Sequence, residues 1–558
     1  MNYRTKNNVL LLLEDKTDVY AERIALGIKT AYGWKEFTYK GLGLMARKVA
    51  SFLMNDLQLK KNERVAILSE SKPEYGACVF ASIMAGGTTV PLDIKLTKYE
   101  LVSILSDCKP YVLFVSQHYI DKALEIQKEV DSIKHIIVMD EPTYNLDLPS
   151  LYTINASPNC KWRHRNSKSS AFIIYTSGTT GNPKGVDISF RNMLSQMSDL
   201  EEVFPNFIKV GENTQVLSIL PMNHLFEMTV GFSTFLYWGL SVFYTQSLKP
   251  KDILSIMREK QVGLMIVVPA FLKLLKAGIE NEINANPKTK RIFSIMFNIA
   301  KRIPSMKIRK MIFKKIHDKF GGKFNGCICG GAPIDKNVAN FFETIGIKVY
   351  AGYGLSETSP VVSVNYDKRN DYTSVGKPLK SFECRIDKVT GEIQLKGPCI
   401  MKGYYNQPEL TAQTIDEDGW LHTGDIGHLD KDNHIHITGR LKNMIVLSGG
   451  KKVFPEEVEA VLESSNNFAE VCVMGSSRTG GTKDGTEEIV AIIVPKDTYM
   501  KDKSDEELNK VVREEVKQLS NRLAPYKRPI NIVVHKEELP KTTTRKVKRR
   551  AVKEMLNL

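Results

Sequence analysis

Residues 171–185 read AFIIYTSGTTGNPKG, and no other stretch of the 558-residue chain carries as clear a structural signal. An apolar run typical of a buried strand leads into a loop of glycine, serine and threonine. Backbone amides can approach an anion closely at Gly178, Gly181 and Gly185. Lys184 supplies a cation, and hydroxyl donors come from Thr176, Ser177, Thr179 and Thr180. The stretch therefore predicts a phosphate-binding loop.

This loop differs from the usual P-loop, because Gly178 and Gly181 stand three residues apart and no Gly-Lys-Ser/Thr follows at the required spacing. A plain Gly/Ser/Thr connector is the alternative interpretation. The cation at Lys184 and the density of donors favour phosphate binding. After the loop, the apolar spacing predicts an amphipathic helix, with one side formed by Met193, Leu194, Met197 and Leu200.

Strand-like apolar runs alternate with longer helical patterns through the first several hundred residues, which is typical of α/β layers. Examples lie near Val65, Val112 and Val349. A chain of this length exceeds one hydrophobic core, so at least two domains are expected. We predict an α/β fold with a large, layered amino-terminal domain over 1–438, a hinge at 439–443 and a small α+β domain over 444–558.

Composition narrows the class of protein. Hydrophobic residues at 42% and charged residues at 25% are ordinary globular values, which argue against disorder and coiled coils. The net charge of +15 attracts anions, either polyphosphates, acidic lipid headgroups or nucleic acid. Eight cysteines without a CxxC motif do not resemble a disulfide framework or a zinc site, so a reducing cytoplasm is expected.

Two apolar segments are candidates for membrane or targeting elements. The amino-terminal run of five apolar residues is too short for a signal peptide. Residues 228–248 lack charges and approach membrane-spanning length, but Gly239 separates a helix-like TFLYW from a strand-like SVFY. We therefore do not expect a membrane span there.

Seven motifs occur in an order that resembles one family. They are YTSGTTGNPKG, ILPMNHLFE, CGGAPI, GYGLSETSP, GWLHTGD, GRLKNMIVLSGGKKVFPEEVE and LPKTTTRKVKRR. Together they resemble the adenylate-forming superfamily of acyl-CoA synthetases, luciferases and peptide-synthetase adenylation domains, over residues 20 to 552. The PxxHxFE form around His224 looks closer to long-chain fatty acyl-CoA synthetases than to aryl or amino acid activators.

The nucleotide and metal roles follow from single motifs. Glu357 offers one hard carboxylate oxygen, which suits a Mg²⁺ ion carrying nucleotide phosphates, although a solvated acid is the alternative. Tyr353 offers an aromatic face to adenine. The resemblance assigns the nucleotide's other side to Gly330, Gly331 and Ala332, and it adds Gly354 and Ser356 to the ATP-binding set.

Three further residues have roles implied by the resemblance. Asp425 is expected to accept both ribose hydroxyls, and an Asx-turn residue is the alternative. Arg440 resembles the family's arginine that contacts ribose or phosphate, and an exposed surface charge is the alternative. His224 resembles the histidine beside the acyl carboxylate, and a hydrogen-bonded core histidine is the alternative.

Lys546 is the residue on which adenylation is expected to depend most. The attacking carboxylate needs no general base, because it is already anionic at neutral pH. Its attack on the α-phosphate gathers negative charge, which a positioned ammonium stabilises. The family's lysine usually follows glycine, whereas Arg545 precedes Lys546 here, and a solvated basic tail is the alternative.

The resemblance also implies a mobile small domain that serves two steps. Lys442 occupies the hinge position, with an ordinary exposed lysine as the alternative. The loop at Ser448, Gly449 and Gly450 is expected to line the channel for the pantetheine arm of coenzyme A.

The predicted reaction joins a fatty acid to coenzyme A through an acyl-adenylate, with ATP and Mg²⁺ as cofactors and pyrophosphate and AMP as products. Alternatives are transfer to an acyl carrier protein, activation of an aryl acid, or a non-catalytic basic protein on membrane or nucleic acid. No aromatic-interleaved basic platform is apparent, so nucleic acid is not expected.

The basic segment 301–323 has helical apolar spacing at Ile308, Met311, Ile312, Ile316 and Phe320. It predicts either contact with an acidic membrane surface or an ordinary packing helix. The expected location is therefore cytoplasmic, with the inner membrane face as a site of peripheral contact.

Overall fold

The computed structural model describes residues 16–142, 147–176, 183–204, 213–366, 371–447, 451–477, 487–541 and 547–558. Contacts divide the chain into two compact units. The first unit comprises Met1–Glu383 and Leu395–Leu421, and the second comprises Cys384–Gln394 and His422–Leu558. The predicted hinge at 439–443 therefore lies within the second unit, and its motion stays a prediction.

The described residues contain strands in both units. In chain order they are β1 (Ile24–Thr30), β2 (Gly33–Thr38), β3 (Arg64–Leu68), β4 (Thr88–Leu92), β5 (Pro110–Val115), β6 (His135–Val138), β7 (Ser170–Thr176), β8 (Lys184–Ser189), β9 (Gln215–Ser218), β10 (Ser241–Tyr244), β11 (Leu264–Val267), β12 (Gly326–Cys329), β13 (Lys348–Tyr353), β14 (Ser363–Val364), β15 (Lys377–Pro378), β16 (Glu383–Ile386), β17 (Glu392–Lys396), β18 (Gly403–Tyr404), β19 (Leu421–Leu429), β20 (Ile435–Arg440), β21 (Ile445–Val446), β22 (Lys452–Val453), β23 (Phe468–Ser477), β24 (Glu487–Pro495) and β25 (Asn531–Val534).

Helices connect most of these strands. In chain order they are α1 (Tyr39–Asn55), α2 (Pro73–Met84), α3 (Lys98–Cys108), α4 (Ile120–Gln127), α5 (Phe190–Val203), α6 (Phe235–Tyr237), α7 (Pro250–Glu259), α8 (Pro269–Asn284), α9 (Pro287–Ala300), α10 (Met306–Ile312), α11 (Lys314–Lys319), α12 (Lys336–Thr344), α13 (Pro408–Thr414), α14 (Pro455–Leu462), α15 (Asp497–Met500), α16 (Asp505–Ser520) and α17 (Arg549–Met555).

Two large sheets form the first unit. One has nine strands in the order β15-β14-β13-β12-β11-β9-β10-β1-β2, and the other has seven in the order β18-β8-β7-β4-β3-β5-β6. The central strands of each sheet run parallel, as in β9, β11, β12 and β13. Parallel strands covered by helices on both faces read as continuous apolar runs, which explains the strand-like patterns in the sequence. The predicted strands near Val65, Val112 and Val349 are confirmed as β3, β5 and β13.

The segment after the predicted phosphate loop differs in one respect from the sequence interpretation. A strand, β8, precedes the expected helix and pairs antiparallel with β7 from Thr176 opposite Lys184 to Ser170 opposite Ser189. The helix α5 then begins with a capping box between Ser189 and Asn192. Its predicted apolar side is buried as expected, at Met193, Leu194, Met197 and Leu200. Strands β7 and β8, on either side of the predicted loop, are therefore an antiparallel pair.

Residues 228–244, which are most of the charge-free segment, are buried in the core. A buried π-helical stretch, Glu227–Thr234, continues into α6, and β10 follows. Gly239 lies between helix and strand with a φ of +79°, which favours glycine. No helix among the described residues is long and apolar enough to cross a bilayer.

The second unit includes most of a four-stranded sheet (β16-β17-β19-β20), the β21-β22 pair and the three-stranded sheet β23-β24-β25. Helix α16 begins at a capping box between Ser504 and Glu507. Its apolar face is buried at Leu508, Val512 and Val516, against β23 and β24 residues such as Val473 and Ile493. The mixed helices and strands of this unit agree with the predicted α+β class. The unit holds residues 384–394 and 422–443 besides the predicted 444–558, and the predicted domain bounds stay a prediction.

Candidate active site

Loops that follow parallel strands of the nine-stranded sheet bring several predicted residues to one edge of the first unit. His224 follows β9, Gly330 follows β12, and Gly354 follows β13. The carboxyl ends of neighbouring parallel strands meet at the same sheet edge, which is where ligands bind in open α/β sheets. The dispersed motifs are therefore neighbours in space.

The ring of Phe226, in the motif ILPMNHLFE, lies close to Gly330 of the motif CGGAPI. A Cβ added at Gly330 would lie 3.2 Å from Cζ of the Phe226 ring, so only the bare backbone of glycine fits there without displacing the ring. The next residue, Gly331, has a φ of +87°, which a side chain would strain. The glycines predicted to line the nucleotide thus have a steric reason to be glycines.

The loop after β13 is closed tightly by its own backbone. A Cβ at Gly354 would lie 1.9 Å from the carbonyl oxygen of Pro360, so this position excludes every other residue. The amide of Val362 donates to the carbonyl of Tyr353 at 2.7 Å. Thr358 also fixes the turn, because its hydroxyl accepts from the amide of Leu355 at 2.9 Å. The loop therefore holds Tyr353, Ser356 and Glu357 in defined positions.

Glu357 is half-buried, and its Oε1 accepts a hydrogen bond of 2.8 Å from the hydroxyl of Tyr404 in β18. Its backbone carbonyl accepts from the amide of Met401 at 2.9 Å. Burial, with the neighbouring Glu357 carboxylate, raises the pKa of Tyr404 above its usual range, so the phenol stays a donor. Among the described residues, none donates to Oε2. A carboxylate held in this way fits a hard cation such as Mg²⁺.

Lys184 lies beside the same tyrosine. Its Nζ is 5.3 Å from the centroid of the Tyr404 ring, and no carboxylate of the described chain lies within ion-pair distance of it. The structure thus brings a cation, a phenol and a carboxylate together from three separate stretches of the chain. Thr176 ends β7 directly opposite Lys184, whereas Ser177, Gly178, Thr179 and Thr180 lie outside the described residues.

His224 occupies the first turn after β9. Burial lowers its pKa below the usual range, while Asp93 raises it and Lys95 lowers it further. A lowered pKa keeps the imidazole neutral at neutral pH, so the ring can accept or donate a hydrogen bond without adding charge. The acyl-site role of His224 stays a prediction.

Glu227 is fully buried three residues after His224, at the start of the π-helical stretch. Its Oε2 accepts a 2.5 Å hydrogen bond from the hydroxyl of Ser218, the last residue of β9. A Cβ at Gly231 would lie 2.3 Å from the same carboxyl group. The missing side chain of Gly231 therefore leaves the space that the Glu227 carboxyl group fills. Glu227 therefore ties the turn that carries His224 to the end of its strand.

Replacing Glu227 by glutamine is expected to stabilise the protein at alkaline pH. Burial raises the pKa of Glu227 from 4.5 to about 7, so the folded state holds a proton that the unfolded state releases. The stability that the Glu227 carboxyl group contributes is fully present below its pKa in the unfolded state. This stability is lost as the pH rises through the folded-state value of about 7. The unfolding free energy of Glu227→Gln minus that of wild type should therefore increase by about 2 kcal/mol when the pH is raised from about 5 to about 8.5.

Chemical denaturation at both pH values measures this difference. Glu409→Gln, at an exposed glutamate of α13, is the matched control and should differ from wild type equally at both. An equal difference for Glu227→Gln as well would mean that its carboxyl group ionises at an ordinary pKa.

In the second unit, Asp425 and Arg440 form one ion pair. They are directly opposite each other in the antiparallel pair β19 and β20. Arg440 Nε lies 2.5 Å from Oδ1 of Asp425, and its second terminal nitrogen, Nη2, lies 3.4 Å from Oδ2. Asp425 is buried and Arg440 is half-buried. Two predicted ribose-binding residues are thus adjacent, and the guanidinium orients the carboxylate.

The remaining predicted residues lie in and beyond the hinge region. Lys442 is exposed on the short turn between β20 and β21. Three predicted channel residues (Ser448, Gly449 and Gly450) lie outside the described residues, as does Lys546. On either side of Lys546 the described chain is anchored, because Lys541 and Val547 form an antiparallel bridge. Ala332 follows Gly331 and is exposed.

Arg549 anchors the carboxyl-terminal helix. Its Nη2 donates to Glu459 of α14 at 2.6 Å and 2.5 Å, and its Nε donates to the carbonyl of Val473 at 3.2 Å. The arginine pair at the end of LPKTTTRKVKRR is therefore structural at Arg549 and exposed at Arg550.

Comparison with known families defines the class of protein. The family model "AMP-binding enzyme" matches residues 13–405, and the model "AMP-binding enzyme C-terminal domain" matches residues 457–546. The chain belongs to the family of AMP-binding enzymes. The predicted membership of the adenylate-forming superfamily is thus confirmed, together with its cofactors ATP, Mg²⁺ and coenzyme A.

The two relatives compared with this chain are both acid–CoA ligases. The chain is 29% identical to the long-chain-fatty-acid–CoA ligase ACSBG1 of Homo sapiens over 485 residues, covering 80% of this chain and 66% of the relative. It is 26% identical to the long-chain-fatty-acid–CoA ligase FadD15 of Mycobacterium bovis over 487 residues, covering 83% of this chain and 78% of the relative. The chain thus spans about two thirds of the human relative's length.

Solved structures confirm the fold. ATP-bound MatB from Rhodopseudomonas palustris matches with a TM-score of 0.79 at 25% identity, over 99% of both chains. The anthranilate–CoA ligase AuaEII in complex with anthranoyl-AMP also has a TM-score of 0.79, at 20% identity, over 100% of this chain and 99% of its own. The second likeness concerns the fold alone.

Sequence reasoning missed Tyr404 as a partner of Glu357. Tyr404 lies in GYYNQPE, a stretch without a glycine-rich loop or a charged pattern, 47 residues from Glu357. Its only local signal is an aromatic residue next to Gly403. The pairing arises because β18 joins the edge of the seven-stranded sheet beside β8.

Proposed function

We propose that this protein is an ATP-dependent, AMP-forming fatty acid–CoA ligase. It activates the acid as an acyl-adenylate with release of pyrophosphate, and then transfers the acyl group to the thiol of coenzyme A. The observation that carries the proposal is the Lys184, Tyr404 and Glu357 arrangement beside the loop at the end of β7. A cation and a metal-type carboxylate at such a loop suit a polyphosphate whose α-phosphorus is attacked.

Each residue of the candidate site then has its own role in binding the nucleotide, the metal or the acid. Lys184 supplies positive charge toward the phosphates, and Glu357 would hold the Mg²⁺ that neutralises them. Asp425, oriented by Arg440, would accept the ribose hydroxyls. The neutral imidazole of His224 adds no charge beside the incoming carboxylate, so it neither traps nor repels it.

A fatty acid is favoured over an aryl acid by the named relatives and by the PxxHxFE motif. The two ligases quoted above act, by their names, on long-chain fatty acids. In an apolar tunnel each added methylene contributes about 0.8 kcal/mol, which is about fourfold in affinity.

The test is pyrophosphate exchange into ATP with a panel of acids, from short to long aliphatic chains and including benzoate and anthranilate. We expect exchange that depends on the acid, and a specificity constant that rises about fourfold per methylene until the acyl-binding site is filled. Faster exchange with an aromatic acid than with every fatty acid would reject the substrate class. A lack of exchange with all acids would reject the ligase activity itself.

A further inference from the structure

Helix α9 presents a row of exposed isoleucines. Ile292, Ile295 and Ile299 are 58%, 55% and 53% exposed. Their spacing of three and four residues puts them on one face of the helix. The opposite side is anchored in the core of the first unit, by Phe293, Met296 and Phe297. The exposed face is therefore an outward surface of a firmly packed helix.

The following segment corrects the prediction made for residues 301–323. The chain forms two short helices, α10 and α11, separated at Phe313, in place of one continuous amphipathic helix. Ile312, Ile316 and Phe320 pack in the core, as in the packing alternative. Ile308 and Met311 instead stay exposed, at 48% and 74%, on the helix that follows α9. Exposed apolar side chains thus lie on both α9 and α10.

This surface is also strongly basic. Residues 287–323 contain twelve lysines and arginines and a single acid, Asp318, in a chain whose net charge is +15. Asp318 pairs with Lys314, and Glu282 pairs with Lys319. The further cations of this segment have no acidic partner among the residues that the structure describes, and those that are exposed include Lys288, Lys290, Arg291, Arg302 and Lys307. Exposed isoleucines on a segment this rich in cations suit a partner that is both apolar and anionic.

We propose that the exposed face of α9 and α10 docks on the surface of a bilayer that contains acidic lipids. The isoleucines would enter the headgroup region, and the cations would contact lipid phosphates. A second copy of the chain is disfavoured because two such basic faces repel each other. Nucleic acid is disfavoured because the exposed side chains are aliphatic and offer no aromatic platform for bases.

Vesicle co-sedimentation of the full chain, without ATP or coenzyme A, tests the proposal. Vesicles of phosphatidylcholine with about a third phosphatidylglycerol should bind at least about tenfold more tightly than phosphatidylcholine alone, and high salt should weaken the binding. Two triple variants should each lose about tenfold or more: Ile292→Ser, Ile295→Ser, Ile299→Ser; and Lys288→Glu, Arg291→Glu, Lys307→Glu.

Matched controls change equally exposed residues elsewhere and should bind as wild type: Leu44→Ser, Tyr99→Ser, Val389→Ser; and Lys61→Glu, Lys128→Glu, Lys134→Glu. Circular dichroism and thermal unfolding verify that each variant is folded. The proposal is overturned if wild type does not prefer the acidic vesicles, or if the isoleucine triple binds them as wild type does. It is also overturned if sedimentation shows a dimer that only the isoleucine triple dissociates. Because binding is measured without turnover, its failure is distinguishable from failure of the ligase proposal.

Discussion

Replacing Lys546 by alanine is expected to slow acyl-adenylate formation by about a thousandfold. As the carboxylate attacks the α-phosphorus, negative charge grows on the transferring group and on the departing pyrophosphate. A positioned ammonium stabilises that charge in the transition state more than in the ground state, so its loss lowers kcat as well as kcat/KM. Acid-dependent pyrophosphate exchange measures the effect directly.

The second half-reaction separates this role from a general loss of structure. Thioester formation from supplied acyl-adenylate and coenzyme A needs no charge stabilisation at the α-phosphate, so Lys546→Ala should leave it unchanged. Lys548→Ala is the matched control, because Lys548 is an exposed lysine two residues away. Equal losses in both half-reactions, or an equal loss in Lys548→Ala, would refute the assigned role.

Local sequence patterns were sufficient for much of the fold because they depend on near neighbours in the chain. The buried side of α5, for example, is decided within a few helical turns. Apolar runs revealed β3, β5 and β13, since strands buried on both faces are continuously apolar. These elements depend little on the rest of the chain.

Long-range pairing could not be read from such patterns. Asp425 and Arg440 were each assigned to the nucleotide, but their ion pair depends on the register of β19 against β20. The continuous helix expected over 301–323 was wrong because Phe313 turns inward and ends α10. The spacing of apolar residues predicts which face of a helix is buried. It does not predict the residue at which packing against the core ends the helix.

Glu357→Gln is expected to lower the adenylation rate by about a hundredfold at a Mg²⁺ concentration that saturates wild type. The amide keeps the size of the side chain and can still accept from Tyr404, but it lacks the negative charge that a hard cation prefers. Losing one metal-type ligand removes a few kcal/mol of charge stabilisation. Raising the Mg²⁺ concentration should restore part of the activity, which a folding defect would not allow.

Tyr404→Phe tests the same metal-binding role of Glu357 by a smaller change. It keeps the carboxylate of Glu357 and removes only the hydroxyl that orients Oε1, so adenylation should fall about tenfold, with a weaker apparent affinity for Mg²⁺. Tyr405→Phe is the neighbouring control and should behave as wild type, as should Glu409→Gln. If Glu357→Gln retains full activity at limiting Mg²⁺, the metal is held elsewhere and the role of the Glu357 and Tyr404 pair is structural. If only Tyr404→Phe is affected, the phenol acts on the substrate directly.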